Sequence, residues 1–111
     1  ESALQKTIGD ALSQEGFQTF SALDGEVGLR LAAEKLPDMI LLDLILPKVN
    51  GFEVLKSLKK QKETQDIPVV VLTNLESMED IQKALDLGAT TYLVKSNYTL
   101  QELVEKVQKA V

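Results

Sequence analysis

Apolar residues in this chain fall into two patterns that take turns. The first repeats at helical spacing behind a capping residue. Ser2 precedes Leu4, Ile8, Ala11 and Leu12, with Gly16 as a stop, and Ser2 with Gln5 reads as a capping box. Asp24 opens a second helix with Val27, Leu31 and Ala32 inside, ended by Pro37. Asn50 with Glu53 opens a third, carrying Val54, Leu55 and Leu58. Ser77 with Asp80 opens a fourth around Ile81, Ala84 and Leu85, closed by Gly88. Thr99 with Glu102 opens a fifth, with Leu100, Leu103, Val104 and Val107 on one face and Tyr98 and Leu103 placed as a hydrophobic staple.

The second pattern is a short run without alternation. Residues 39–42 and 69–72 are such runs, as expected of strands buried on both faces. Residues 91–94 make a third strand, and residues 17–21 a more mixed fourth, closer to an edge strand. Helices alternating with buried strands require parallel pairing through right-handed crossovers. The expected fold class is α/β, a doubly wound parallel sheet. One feature breaks the series: the chain opens on a helix, so five helices accompany four strands.

Composition narrows the chemistry. The 111 residues are 44% hydrophobic and 26% charged, a globular profile for one domain. Twelve Lys and Arg face seventeen Asp and Glu, for a net charge of −5, and residues 1–55 carry the whole excess. Such a chain is a poor binder of nucleic acid or anionic membrane. It has no Cys and no His. That excludes thiol and Ser-His-Asp hydrolases and most zinc enzymes. No apolar run reaches membrane-spanning length, and no basic-then-apolar leader opens the chain. Gly25-Glu26-Val27-Gly28 lacks the third glycine of a dinucleotide fingerprint, and there is no phosphate loop.

In an open parallel sheet, ligands bind beyond the carboxyl ends of the strands. Asp43 follows the run at 39–42, Thr73 the run at 69–72, and Lys95 the run at 91–94. Each has an ordinary reading alone, as a turn cap, a β-former and a snorkelling surface residue. Together they place an acid, a hydroxyl and an ammonium at equivalent ends of three strands. A carboxylate there can act as a nucleophile and become an acyl phosphate. The added charge of about −1.5 to −2 would be met by the ammonium and hydroxyl.

These stretches resemble the receiver domain of bacterial two-component response regulators. Pro37-Asp38-Met39-Ile40-Leu41-Leu42-Asp43-Leu44-Ile45-Leu46-Pro47, then Asn50-Gly51, resembles the segment around that family's phosphoacceptor. Val70-Val71-Leu72-Thr73 resembles the segment ending in its switch hydroxyl. Gly88-Ala89 and then Tyr92-Leu93-Val94-Lys95 resemble the segment ending in its lysine. The match runs the whole length. It implies a flavodoxin-like fold with strand order 2-1-3-4-5 and five helices. It also implies that Asp43 accepts phosphate from a phosphohistidine on a sensor histidine kinase or phosphotransfer protein. Lys95 and Thr73 would be the catalytic contacts to the phosphoryl group, and Thr73 and Tyr92 the switch. Mg2+ would be held by Asp43 and the backbone carbonyl of Ile45. The protein would be a cytoplasmic signalling phosphoprotein, not a small-molecule enzyme.

The departures are specific. The family's first strand ends in two adjacent acids that hold the metal, and Glu1 falls just after that pair. The domain at 1–111 is therefore expected to be N-terminally incomplete. The lost strand is central in the family's sheet, so its absence should cost more than a typical stability margin of about 5–15 kcal/mol. An unseen segment, or a strand from another chain, would fill the gap. Glu1 is placed to approach the metal, though a terminal charge is ordinarily solvated. Ser96 follows Lys95 where the family usually has proline, so a trans bond is the expectation. Asn74 is larger than the small residue common after the switch hydroxyl. It narrows access to Asp43, bonds a phosphoryl oxygen, or is simply a turn residue. Asn50 stands where an acid is common and reads better as an N-cap. Lys56, Lys59, Lys60 and Lys62 read as a solvated basic face.

Three functions follow. The first is a phosphorylatable receiver that switches the Tyr92-bearing face of the fourth helix, last strand and fifth helix for partner binding or homodimerisation, strand exchange being a second route to a dimer. The second is a phosphorylation-independent pseudo-receiver serving as a protein-interaction module, motivated by the missing acid pair. The third is a small α/β enzyme using Asp43 and Lys95 as acid and base. No output domain is expected within the chain, nor direct nucleic-acid binding or membrane insertion.

Overall fold

The computed structural model describes residues 2–45 and 50–110. Glu1, Leu46, Pro47 and the side chains of Ser2 and Leu4 lie outside what is described. Five helices and three strands follow in the order α1 (Ser2–Gln14), α2 (Gly25–Lys35), β1 (Ile40–Leu42), α3 (Gly51–Lys60), β2 (Val69–Thr73), α4 (Met78–Asp86), β3 (Thr91–Val94) and α5 (Leu100–Ala110). The sheet is parallel, in the order β1-β2-β3, with Leu42 opposite Val71 and Thr73 opposite Val94.

The β2 run is buried throughout, and its pleat sends alternate residues to opposite faces. Val69 and Val71 join Ala32, Val54, Leu55, Leu58 and Ala84, so α2, α3 and α4 cover one face. Val70 and Leu72 join Ile8, Leu12, Leu103, Val104 and Val107, so α1 and α5 cover the other. That is the doubly wound arrangement the sequence implied. Two expected core positions are not core: Leu85 is 42% and Leu100 37% exposed.

The caps form largely as read. Asp24 Oδ1 accepts from the Val27 N–H, Asn50 Oδ1 from Phe52 and Ser77 Oγ from Asp80. Thr99 and Glu102 make the reciprocal box: the Glu102 N–H donates to Thr99 Oγ1 and the Thr99 N–H to Glu102 Oε1. Gln5 is different. Its amide donates to the Ala22 carbonyl at 3.0 Å and ties α1 to the following loop, rather than capping α1.

Residues 17–21 form no strand, contrary to the sequence reading. Strand structure needs a bonded neighbour, and among the described residues no backbone–backbone hydrogen bond joins 18–22 to another segment. A cavity of ≈ 860 Å³ lies between residues 17–25 and β1, floored and roofed by Ile8, Leu12, Leu31, Ala32, Leu58 and Val107. This cavity also explains why β1 is only partly buried where both faces were expected to be covered. Ile40 donates to Pro68 on the β2 side. By the alternation of a parallel strand, Leu41 turns its N–H and C=O into the cavity.

The basic face of α3 also departs from expectation at one residue. Lys59 Nζ donates to the carbonyls of Ile67 at 2.8 Å and Gln65 at 3.2 Å, and its stem packs beside Gly88. It staples the loop leading into β2.

Helix α2 ends on Leu36, which adopts the left-handed conformation (φ 47°, ψ 60°) while its N–H reaches the Ala32 carbonyl. Leucine pays about 1 kcal/mol there, and its side chain is mostly exposed. Leu36→Gly is therefore expected to raise stability by about 0.5–1 kcal/mol, read as a higher Tm. A lower Tm would show that the leucine side chain outweighs the backbone cost. Among the described residues, no helix is long and apolar enough to cross a membrane.

Candidate functional site

Strand register brings three distant residues to one edge of the sheet. Asp43 is the first residue after β1, Thr73 the last residue of β2, and Lys95 the first after β3, opening a single 3-10 turn, Lys95–Asn97. Lys95 Nζ donates to Asp43 Oδ2 at 2.7 Å across 52 positions of sequence. The other carboxylate oxygen, Oδ1, accepts from the Ile45 N–H at 3.0 Å. The pair is only partly exposed, at 11% for the Lys95 side chain and 22% for that of Asp43.

Burial pushes the Asp43 carboxyl up. The hydrogen bond from Lys95, the bond from the Ile45 N–H, the lysine charge and the Thr73 hydroxyl outweigh it, and the group sits below its ordinary value of 3.8. Asp43 is thus ionised at neutral pH, with the lone pairs a nucleophile needs. A depressed folded value means that the pair contributes stability above the unfolded value and loses it as pH falls through the folded one.

Thr73 is fully buried, and its Oγ1 lies 3.5 Å from the Leu75 N–H, a long contact. Tyr92, on β3, donates its hydroxyl to the Leu75 carbonyl at 2.9 Å. Burial raises its phenol, with the charges of Asp80 and Asp43 adding to the effect. Thr73 and Tyr92 therefore both address the turn after β2. The Lys95–Ser96 bond is trans, as are all described peptide bonds.

Gly51 positions the acceptor. A Cβ built on it would fall 2.3 Å from Leu44 Cα and 2.7 Å from the Asp43 carbonyl oxygen. Its N–H donates to the Leu44 carbonyl at 3.1 Å. The start of α3 thus rests directly on the backbone that carries Asp43. The sequence marked Gly51 only as part of a motif; the need for bare space beside Leu44 appears in three dimensions.

Asp43, Ile45, Asn74 and Lys95 line a cavity of ≈ 140 Å³. Asp43 and Lys95 also close one end of the larger cavity beside β1. As a magnesium site the described residues fall short. Magnesium takes a near-ideal octahedron of oxygens. Here Asp43 and the Ile45 carbonyl would provide two, and the carboxylate is already engaged by Lys95 and the Ile45 N–H. Among the described residues there is no group of three or more acids or other metal-ligating side chains. Glu1 lies outside the described residues.

Comparison with known proteins gives a consistent picture. The family described as response regulator receiver domain matches residues 1–108. The chain is 38% identical over 106 residues to the DNA-binding dual master transcriptional regulator RpaA of Synechocystis, covering 96% of this chain and 44% of that protein. It is 36% identical over 108 residues to the phosphate regulon transcriptional regulatory protein PhoB of Escherichia coli, covering 97% and 47%. The chain thus spans under half the length of these relatives. Among solved structures, Vibrio cholerae chemotaxis protein CheY4 superposes with a TM-score of 0.90 at 27% identity, covering 100% of this chain and 92% of that one. The receiver domain of the sensor histidine kinase PA1611 of Pseudomonas aeruginosa gives 0.85 at 25% identity, covering 99% and 89%, and its structure has magnesium coordinated in the active-site cleft.

Proposed function

The chain belongs to the response regulator receiver domain family, and from that premise we propose that it is a phosphoacceptor in a two-component phosphorelay, with Asp43 taking the phosphoryl group. The observation that carries this reading is the 2.7 Å Lys95–Asp43 pair beside a cavity of phosphoryl size. A carboxylate oxygen of Asp43 attacks phosphorus, the bond from phosphorus to the donor's imidazole nitrogen breaks, and the imidazole leaves with that electron pair. The donor is a histidine kinase or phosphotransfer protein, which places the chain in the cytoplasm. The chain turns over no small molecule, since the acceptor is its own side chain.

Lys95 holds the incoming charge, released from its contact with Asp43 as the carboxylate becomes an acyl phosphate. Thr73 moves to bond a second oxygen. That movement frees the turn after β2, which Tyr92 presently holds through Leu75. The face of α4, β3 and α5 then favours a second arrangement, for binding a partner or a second copy. The shift reaches only as far as the phosphoryl group prefers one state.

The alternative is a pseudo-receiver that binds partners without phosphate. Incubation with acetyl phosphate, with and without magnesium, separates the two. Intact mass spectrometry is expected to show the gain of one phosphoryl group in the natural chain and none in Asp43→Ala. No gain in either buffer leaves the pseudo-receiver standing.

A further inference from the structure

We propose that Asn74 is a phosphoryl-binding residue, its side-chain amide donating a hydrogen bond to the group on Asp43. The inference rests on the phosphoacceptor reading and adds a residue to it.

Counting donors leads there. A phosphoryl group on a carboxylate presents three terminal oxygens, each a strong acceptor. Lys95 supplies an ammonium to one. Thr73, whose hydroxyl already helps hold the Asp43 carboxyl low, supplies a donor to a second. The third is left to a bound metal, a backbone N–H or another side chain. Of the four residues lining the 140 Å³ cavity, Asp43 only accepts and the Ile45 side chain is apolar, which leaves Lys95 and Asn74 as side-chain donors.

Position supports the count. Asn74 directly follows Thr73, whose pairing with Val94 fixes the end of β2 one residue short of Lys95 on the neighbouring strand. Asn74 and Lys95 therefore leave adjacent strands at the same level and border the same cavity. Asn74 is exposed, and its side chain makes no hydrogen bond with the described residues. Its amide is thus available without breaking an existing contact. The carboxamide also brings no charge of its own, so it adds a donor without the repulsion that an acid there would impose on an incoming phosphate. As a plain turn residue Asn74 would leave Lys95 as the side-chain donor lining that cavity, with the Thr73 hydroxyl beside it.

Beryllofluoride, which mimics a phosphoryl group on a carboxylate, isolates binding from hydrolysis. Titration followed by fluorine NMR at constant magnesium is expected to give saturable binding to the natural chain. Asn74→Leu and Asn74→Ala are both expected to weaken it about tenfold, the factor one charge-assisted hydrogen bond carries. Because the residue is exposed, thermal melts of the free variants should match the natural chain. An affinity in Asn74→Ala equal to or above that of the natural chain overturns the assignment, and weakening by leucine alone would reduce the residue to a steric rim. Absence of binding to the natural chain brings down the phosphoacceptor reading as well, so the two failures are told apart by which protein fails.

Discussion

Lys95→Ala is expected to slow phosphoryl uptake by Asp43 about a hundred- to thousandfold. That is the scale for removing one preorganised donor from a site where negative charge develops. The ammonium lies 2.7 Å from the acceptor carboxylate and is nearly buried, so water replaces it poorly. The same change shifts the acceptor's own titration. Burial is the largest influence on Asp43, and it acts upward; the strongest opposing influence is the bond from Lys95. With the lysine gone, the carboxyl rises, and the Ile45 N–H and Thr73 hydroxyl are left to oppose burial. A carbon-detected NMR titration of the Asp43 carboxyl reads this directly. In the natural chain, the stability held by the ion pair is present above the unfolded value near 3.8 and falls away as pH drops through the lower folded value. The variant should lack that acid-side loss. A labelling rate within tenfold of the natural chain would remove Lys95 from the phosphoryl contact.

Gly51→Ala is expected to lower unfolding free energy by about 3 kcal/mol or more, at the upper end for overpacking, because the obstruction is backbone. The added Cβ meets Leu44 Cα at 2.3 Å and the Leu44 carbonyl carbon at 2.7 Å, with no flexible side chain to yield. Relief requires α3 to lift from the strand end, which moves Asp43 away from Lys95. Labelling of the folded fraction should fall as well. The control is Gly9→Ala in α1. Nothing lies within 4 Å of that added methyl, and replacing a mid-helix glycine is expected to stabilise by about 0.5–1 kcal/mol. Equal melts for Gly51→Ala and the natural chain would show that α3 sits more loosely than the geometry implies.

Local signals were the readable part of the sequence. Asp24, Asn50, Ser77 and the Thr99–Glu102 box act through atoms two or three residues away, so their positions alone disclosed the helix starts. Continuous apolar runs disclosed β1 and β2 in the same way, and residues 91–94 disclosed β3. The reading failed where a partner was required. Residues 17–21 have strand-like composition, but among the described residues no strand pairs with them. Gln5 fits a cap motif, yet its amide finds a carbonyl 17 residues away. Lys59 looks like one of four solvated lysines, but two loop carbonyls fall within its reach.

The candidate site divides along the same line. By itself the sequence determined the two-faced α/β plan, the helix caps, and the presence of an acid, a hydroxyl and an ammonium at three strand ends, because each depends on short-range spacing and residue type. Only the tertiary structure decided that the acid and ammonium meet at 2.7 Å, that Asn74 shares their cavity and that Gly51 must be bare. Those outcomes depend on register and packing between segments tens of residues apart, which a linear pattern does not encode.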